Sequence, residues 1–144
     1  MAGQFGVESG SQVVLNSIRK GITVDQIRNA AKWARELGLL AVCSFMVTHP
    51  EDTLETIAET KRFMLELKAQ GVVVIVTTPT PFPGTYLWDH ANELGVRMAS
   101  DDLENFDLVA PVMATHHLTM DQISAAYEDL VSISSEIPGK RAFL

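Results

Sequence analysis

The sequence predicts an α/β fold built on parallel strands, and three observations carry that prediction. Val72-Val73-Val74-Ile75-Val76 is an unbroken β-branched run of the kind that packs well on a pleated surface. Strand-like segments recur at intervals of about 33 residues, the signature of a repeated βα unit. The segments between them carry helical caps and helical periodicity. A helical crossover between successive strands forces them to pair in parallel, with a right-handed connection.

Taken in order, Gln4 to Glu8 reads as a short strand and Ser11 to Arg19 as a short helix. Thr23-Val24-Asp25-Gln26 has the spacing of a capping box, in which side chains three apart satisfy each other's orphan backbone donors. The helix it opens places Ile27, Ala30, Ala31, Ala34 and Leu37 on one face, and Gly38 ends it. Leu39 to Val47 is apolar almost throughout, the pattern of a strand covered on both faces. A second long helix runs from about Glu51 to Gln70, opening at Asp52 or Thr53 and stopping at Gly71. Its apolar side holds Leu54, Ile57, Ala58, Met64, Leu65 and Leu67. The prolines of Pro79-Thr80-Pro81-Phe82-Pro83-Gly84 end the β-branched run, because proline cannot donate to a ladder. A short helix from Tyr86 to Leu94 closes on Gly95.

The remainder differs in character. Asp101 to Asp107 is acidic and reads as a loop, and Leu108 to Met113 as an extended segment interrupted by Pro111. Thr119-Met120-Asp121-Gln122 is a second capping box. It opens a final helix with Ile123, Ala126, Tyr127, Leu130 and Ile133 on its apolar face, ended by Pro138-Gly139. No linker separates the parts. The expected division is residues 1–98 for the βα units and 99–144 for an extension packed on them.

Composition narrows the function. A chain of 144 residues with 47% hydrophobic and 20% charged residues has room for one core. A net charge of −7 argues against nucleic acid or an anionic membrane surface as partner. Cys43 is the single cysteine, which excludes an internal disulfide and suits a reducing, cytoplasmic setting. No segment approaches the roughly 20 apolar residues of a membrane span, and no signal-peptide pattern is evident.

In parallel α/β sheets, ligands bind beyond the carboxyl ends of the strands. Those ends are Glu8-Ser9-Gly10-Ser11, Thr48-His49-Pro50-Glu51-Asp52-Thr53 and Thr77-Thr78-Pro79-Thr80-Pro81, all polar. Glu8 is able to accept both hydroxyls of a ribose, or to complement the positive end of the following helix; neither reading outweighs the other. Arg19 and Lys20 suit a carboxylate ligand or, more simply, the negative end of their own helix. His49 is the histidine best placed to face a site, against turn packing as the plainer role. His116-His117 resemble a metal pair, but neighbours on an extended segment point to opposite faces, so no metal ligand is assigned. Cys43 reads as core. No catalytic triad or phosphate loop is present, so no catalytic residue is assigned.

These corners carry a family resemblance. Gly6-Val7-Glu8-Ser9-Gly10-Ser11, with Leu15, Ile18, Lys20-Gly21 and Thr23, resembles the G-x-E-S-G-S…L…I-x-K-G-x-T stretch of radical S-adenosylmethionine (SAM) proteins. The likeness is closest to the subgroup with a cobalamin-binding domain. Phe45 to Thr53 is similar to that family's F-x-x-G-x-P-G-E-T turn, and Pro79 to Leu87 to its P-x-P-x-P-G-T-x-L turn. Asn105-Phe106-Asp107 with Pro111-Val112-Met113 resembles the segment after the barrel. The His49-Pro50-Glu51-Asp52-Thr53 form is similar to anaerobic magnesium-protoporphyrin IX monomethyl ester cyclases. Thr48 stands where the commoner pattern has glycine, a residue that permits close backbone approach.

The resemblance implies the C-terminal half of a partial (β/α)6 barrel, three βα units, with a helical extension. It implies that Glu8 binds the SAM ribose, with Ser9 among the cofactor-binding residues. Lys20, or Arg19, meets the SAM carboxylate, and Thr48, His49, Thr77 and Thr78 lie by the adenine. It implies a parent enzyme that cleaves SAM reductively to a 5′-deoxyadenosyl radical, for oxidative cyclisation or cobalamin-dependent methyl transfer of a small-molecule substrate. The C-x-x-x-C-x-x-C loop that binds the [4Fe–4S] cluster is absent here, as is a cobalamin motif. The expectation is therefore a chain that opens mid-enzyme, is inactive alone, and belongs with the remainder of its parent or with a second copy through open strand edges. The rival readings are a non-catalytic α/β nucleoside-binding or interaction module, and a small acid–base enzyme using His49 and Glu8.

Overall fold

A computed structural model describes residues 1–99, 104, 106 and 109–135. Three strands, β1 (Ala2–Glu8), β2 (Leu40–Met46) and β3 (Val73–Thr77), form a parallel sheet in the order β1-β2-β3. The crossovers are helical: α1 (Gln12–Ser17) and α2 (Val24–Glu36) between β1 and β2, and α3 (Leu54–Ala69) between β2 and β3. The three βα units expected from the repeat are present.

Local chemistry sets the helix ends. Thr23 and Gln26 form the expected capping box at α2, and Thr119 and Gln122 the one at α5 (Met120–Ile133). Thr53 caps α3 through a third box with Thr56, so Thr53 rather than Asp52 is its N-cap. Helices α1, α2 and α3 end in the same way. The residue after the C-cap takes a left-handed backbone, and the next N–H bonds back to the first helix turn below: Lys20 to Leu15 (2.9 Å), Leu39 to Ala34 (2.9 Å), Val72 to Leu67 (3.1 Å). Glycine fills the left-handed position at Gly38 and Gly71, whereas α1 places Arg19 there.

One face of the sheet carries the core. Ala41, Cys43 and Phe45 of β2 with Val47 just after it, and Val74 and Val76 of β3 with Val72 just before it, pack against Leu15, Ile27, Ala31, Met64, Leu67, Ile123 and Leu130. Phe63, absent from the sequence-derived apolar face, is buried edge-on against Phe45 at 6.3 Å. Leu37, Leu54 and Leu65 are exposed, not buried. Each lies at a helix end or on the flank turned away from the sheet, where helical spacing alone overestimates the buried stripe. The continuous apolar run of β2 also misled in one respect. Its other face, Val42, Ser44 and Met46, is only half-buried, because the helices cover one side of the sheet.

The outer edge of β3 is engaged by the segment after α5. Ser135 N–H donates to the Val74 carbonyl at 2.7 Å, and Val74 N–H donates to the Ser135 hydroxyl at 3.3 Å. Salt bridges tie the helices together: Arg28 of α2 with Glu66 of α3, and Lys61 of α3 with Asp129 of α5 at 2.7 Å.

The helix expected over 86–94 is shorter: α4 spans Tyr86–Asp89 and gives way to turns. A two-residue antiparallel ribbon follows, β4 (Arg97–Met98) with β5 (Met113–Ala114), which the sequence reading did not contain. Its partners straddle the expected boundary at 98/99. Phe106 is buried against Phe82 and Trp88 at 6.1 and 6.3 Å. The acidic stretch 101–107 apart from 104 and 106, together with Leu108 and Pro138-Gly139, lies outside the described residues.

Candidate functional site

The carboxyl ends of β1, β2 and β3 adjoin one another because the strands are parallel and neighbouring. Glu8 lies opposite Phe45 of β2 after a register shift, and the Val47 N–H donates to the Thr77 carbonyl at 2.9 Å. The polar corners 8–11, 48–53 and 77–81 therefore share one end of the sheet.

Three non-glycine residues of the described chain have a left-handed backbone: Glu8 (φ 69°), Arg19 (φ 54°) and Thr48 (φ 69°). All three belong to the predicted site set. Non-glycine residues in this region cost energy, and such conformations collect at functional sites. Thr48 keeps the backbone geometry that the more usual glycine would supply. It is 1% exposed, and its hydroxyl lies 3.1 Å from that of Thr78, also 1% exposed. The two threonine hydroxyls are thus spent on each other and on the Val47 carbonyl, inside the protein.

Glu8 and Lys20 form an ion pair at 2.9 Å, each partly exposed. Two features place it. The left-handed turn at Arg19 folds Lys20 back over the end of α1. Gly6 leaves room for the pair: a Cβ there would stand 2.8 Å from Glu8 Oε1 and 3.3 Å from Lys20 Nζ. Arg19 itself is exposed. Of the two basic candidates, Lys20 is the one brought to Glu8.

Ser9 points the other way, into the protein. Its hydroxyl is 3.0 Å from that of Thr60 on α3 and accepts from Ser11 N–H, while Gly10 N–H donates to Thr60 at 3.0 Å. Thr60 is the residue the sequence reading missed. Its place on the buried face of α3, one turn after Thr56, was the available signal.

His49 is 7% exposed, and its Nε2 has no hydrogen-bond partner. Burial pushes its pKa down, with the neighbouring carboxylates of Asp52 and Glu8 pulling the other way. Asp52, 2% exposed, accepts from His49 N–H at 2.8 Å and from the Thr56 hydroxyl at 2.7 Å. Burial pushes its pKa up, and those hydrogen bonds oppose the shift. Sequence inspection treated Asp52 as a capping residue; here it braces the turn that carries His49.

Cys43 is fully buried and its thiol is pushed up to about 11 by burial, which makes it a core residue and unsuited to ligate a cluster. An open groove of about 660 Å³, lined by Phe5, Val7, Ile22, Ile27, Ala30 and Trp33, lies beside the outer edge of β1 on the helical side of the sheet. No helix among the described residues is long and apolar enough to cross a membrane.

Parallel βα units with a polar rim at the carboxyl ends of the strands are consistent with part of a TIM-like α/β barrel, a class in which ligands bind at that rim. Residues 4–64 match the radical SAM superfamily. It is 38% identical over 122 residues to a protein of Pyrococcus horikoshii named as an uncharacterized methyltransferase, covering 83% of this chain and 26% of that one. It is 26% identical over 109 residues to the anaerobic magnesium-protoporphyrin IX monomethyl ester cyclase of Rubrivivax gelatinosus, covering 76% of this chain and 19% of the cyclase. The enzyme of the same name from Cereibacter sphaeroides is 25% identical over 119 residues, covering 83% and 19%. The chain thus spans about a quarter or less of the length of these relatives.

Proposed function

We propose that this chain supplies the adenosyl-binding rim of a radical SAM enzyme whose [4Fe–4S] ligands lie elsewhere in the parent. The observation that carries the reading is the coincidence of left-handed backbone at Glu8 and Thr48 with the carboxyl-end corners of adjacent parallel strands, joined by the left-handed turn at Arg19 that brings Lys20 to Glu8. The second Glu8 oxygen is available to accept ribose hydroxyls, while Lys20 neutralises the carboxylate and offers a cation to an amino-acid carboxylate. Arg19 acts through its backbone, by turning Lys20 inward. Thr77, half-buried at the end of β3, is the member of this set accessible to a base, while the buried Thr48, Thr78 and His49 shape the corner beneath it. Ser9 holds the first corner to α3.

The cluster of the superfamily supplies the electron that cleaves SAM. With its one cysteine buried in the core, this chain is inactive alone in the present reading. The similarity to cyclases and to a named methyltransferase supports oxidative cyclisation or methyl transfer by the parent, the latter with cobalamin bound outside this chain. The half-buried inner face of the sheet and the groove beside Trp33 suit packing by preceding βα units of the parent, or by a second copy. Residues 1–98 would then be barrel and 99–144 an extension.

The test is SAM affinity in the parent holoenzyme. Loss of a charge-assisted hydrogen bond in E8A raises the SAM Kd by about ten- to a hundredfold. Unaltered SAM affinity in E8A and K20M sinks the proposal. So does release of 5′-deoxyadenosine by the present chain alone under reducing conditions.

A further inference from the structure

The turn after β2 and the segment entering α5 meet at one cluster. Glu51 comes from the first, His116 and His117 from the second. One donor atom from each residue lies within 4.8 Å of the other two, and His117 Nε2 is 3.8 Å from Glu51 Oε2. The two imidazole rings are 3.8 Å apart, centroid to centroid. Among the described residues this is the group of three such donors that converges.

Neighbours on a strand diverge, but the chain bends at 116–117 and both rings fall on one side. The bend is fixed from several directions. The buried Thr115 hydroxyl accepts from His117 N–H (3.2 Å) and Leu118 N–H (3.1 Å), and Thr115 N–H donates to the Leu118 carbonyl at 3.0 Å. The β4–β5 ribbon anchors the residues just before it. On the far side the His116 ring rests against Gly95, where a Cβ would stand 2.8 Å from Nδ1. Two imidazoles are therefore held together beside a carboxylate by backbone that is itself paired, while all three side chains stay exposed.

We propose that Glu51, His116 and His117 form a binding site for a Zn²⁺-class divalent transition ion. Two imidazole nitrogens and one carboxylate oxygen are borderline donors, which favour Zn²⁺, Ni²⁺ or Cu²⁺ over the all-oxygen preference of Ca²⁺ and Mg²⁺. Tetrahedral bonds of about 2.0–2.2 Å set donors roughly 3.3 Å apart, so modest rotation of exposed side chains closes the set. Three protein ligands leave the fourth position to water or an exchangeable oxygen ligand. The ion would also pin the segment entering α5 to the turn that carries His49. The site is independent of the adenosyl reading, since neither Glu8 nor Lys20 takes part.

The test uses the whole chain without an affinity tag, stripped by chelator and titrated with Zn²⁺ by equilibrium dialysis. Co²⁺ absorption serves as a second readout of ligand geometry. One-to-one uptake is expected, with midpoints raised at least about tenfold in E51Q, H116A and H117A. H90A, a histidine outside the cluster, leaves the midpoint unchanged. E51Q and H117A alter exposed side chains only, so they keep the test decisive if H116A disturbs the packing on Gly95. Absence of one-to-one uptake, or uptake unchanged in E51Q and H117A, overturns the proposal.

Discussion

Thr48 offers the sharpest test of how this rim is built. A β-branched residue at φ 69° stands in a region that costs an L-residue about 1–2 kcal/mol. Thr48→Ala and Thr48→Gly remove the same hydroxyl and methyl, and both leave the buried Thr78 hydroxyl without that partner. Both variants are expected to lose about 1–3 kcal/mol for that reason. They differ in one atom, the Cβ. At an ordinary backbone position alanine is more stable than glycine by about 0.5–1 kcal/mol. Here glycine removes the strain, which exceeds its entropic cost of about 0.4–1 kcal/mol. The order therefore reverses, with Thr48→Gly more stable than Thr48→Ala by roughly 1 kcal/mol or slightly less. In urea unfolding followed by far-UV circular dichroism, slopes of about 1–3 kcal/mol/M turn that into a midpoint difference of about 0.3–1 M. A higher midpoint for the alanine variant refutes the strained corner.

Other expectations follow from the same contacts. Gly10 lies so close to α3 that a Cβ would be 2.7 Å from Phe63 Cβ and 2.8 Å from Thr60 Cα. Gly10→Ala is thus expected to cost about 1–3 kcal/mol, lowering Tm by several degrees; an unchanged Tm would mean that α3 stands further off. The hydrogen bond from Arg28, foremost, holds the Glu66 carboxyl below its ordinary value of 4.5. A depressed folded pKa gives stability that is present above the unfolded pKa and lost as pH falls through the folded one. Glu66→Gln should therefore flatten that part of the acid limb, and added salt should shrink the difference, because the pair is partly exposed. Cys43, buried and pushed up to about 11, should resist a thiol-specific disulfide reagent at mildly alkaline pH until urea unfolds the chain. Rapid labelling of the native protein would contradict its place in the core.

Much of this architecture was legible in the residues. The β-branched run at 72–76, the two capping boxes and the glycine stops carried their own local physics, so β3, α2 and the start of α5 fell where expected, whereas α5 ends at Ile133, ahead of Pro138-Gly139, where Ser135 turns to bond with Val74. The register of the polar corners followed, because parallel strands joined by helices must end on the same side. Leu37, Leu54 and Leu65 misled because helical spacing says which residues share a face but not how wide a stripe the sheet covers. Short elements were lost for another reason. The β4–β5 ribbon is two residues per strand, below what any periodicity can register.

The sequence by itself determined the βα order, the parallel pairing and the shared end at which the turns 8–11, 48–53 and 77–81 lie, since these depend on caps, helical crossovers and turn chemistry. The tertiary structure decided which side chains face outward. It turned Ser9 into α3, paired Lys20 rather than Arg19 with Glu8, and left His49 Nε2 buried without a partner. It also joined Glu51 to His116 and His117 across more than sixty residues of chain. Those outcomes rest on backbone dihedrals at Glu8, Arg19 and Thr48 and on contacts between distant segments, and neither is encoded in local spacing.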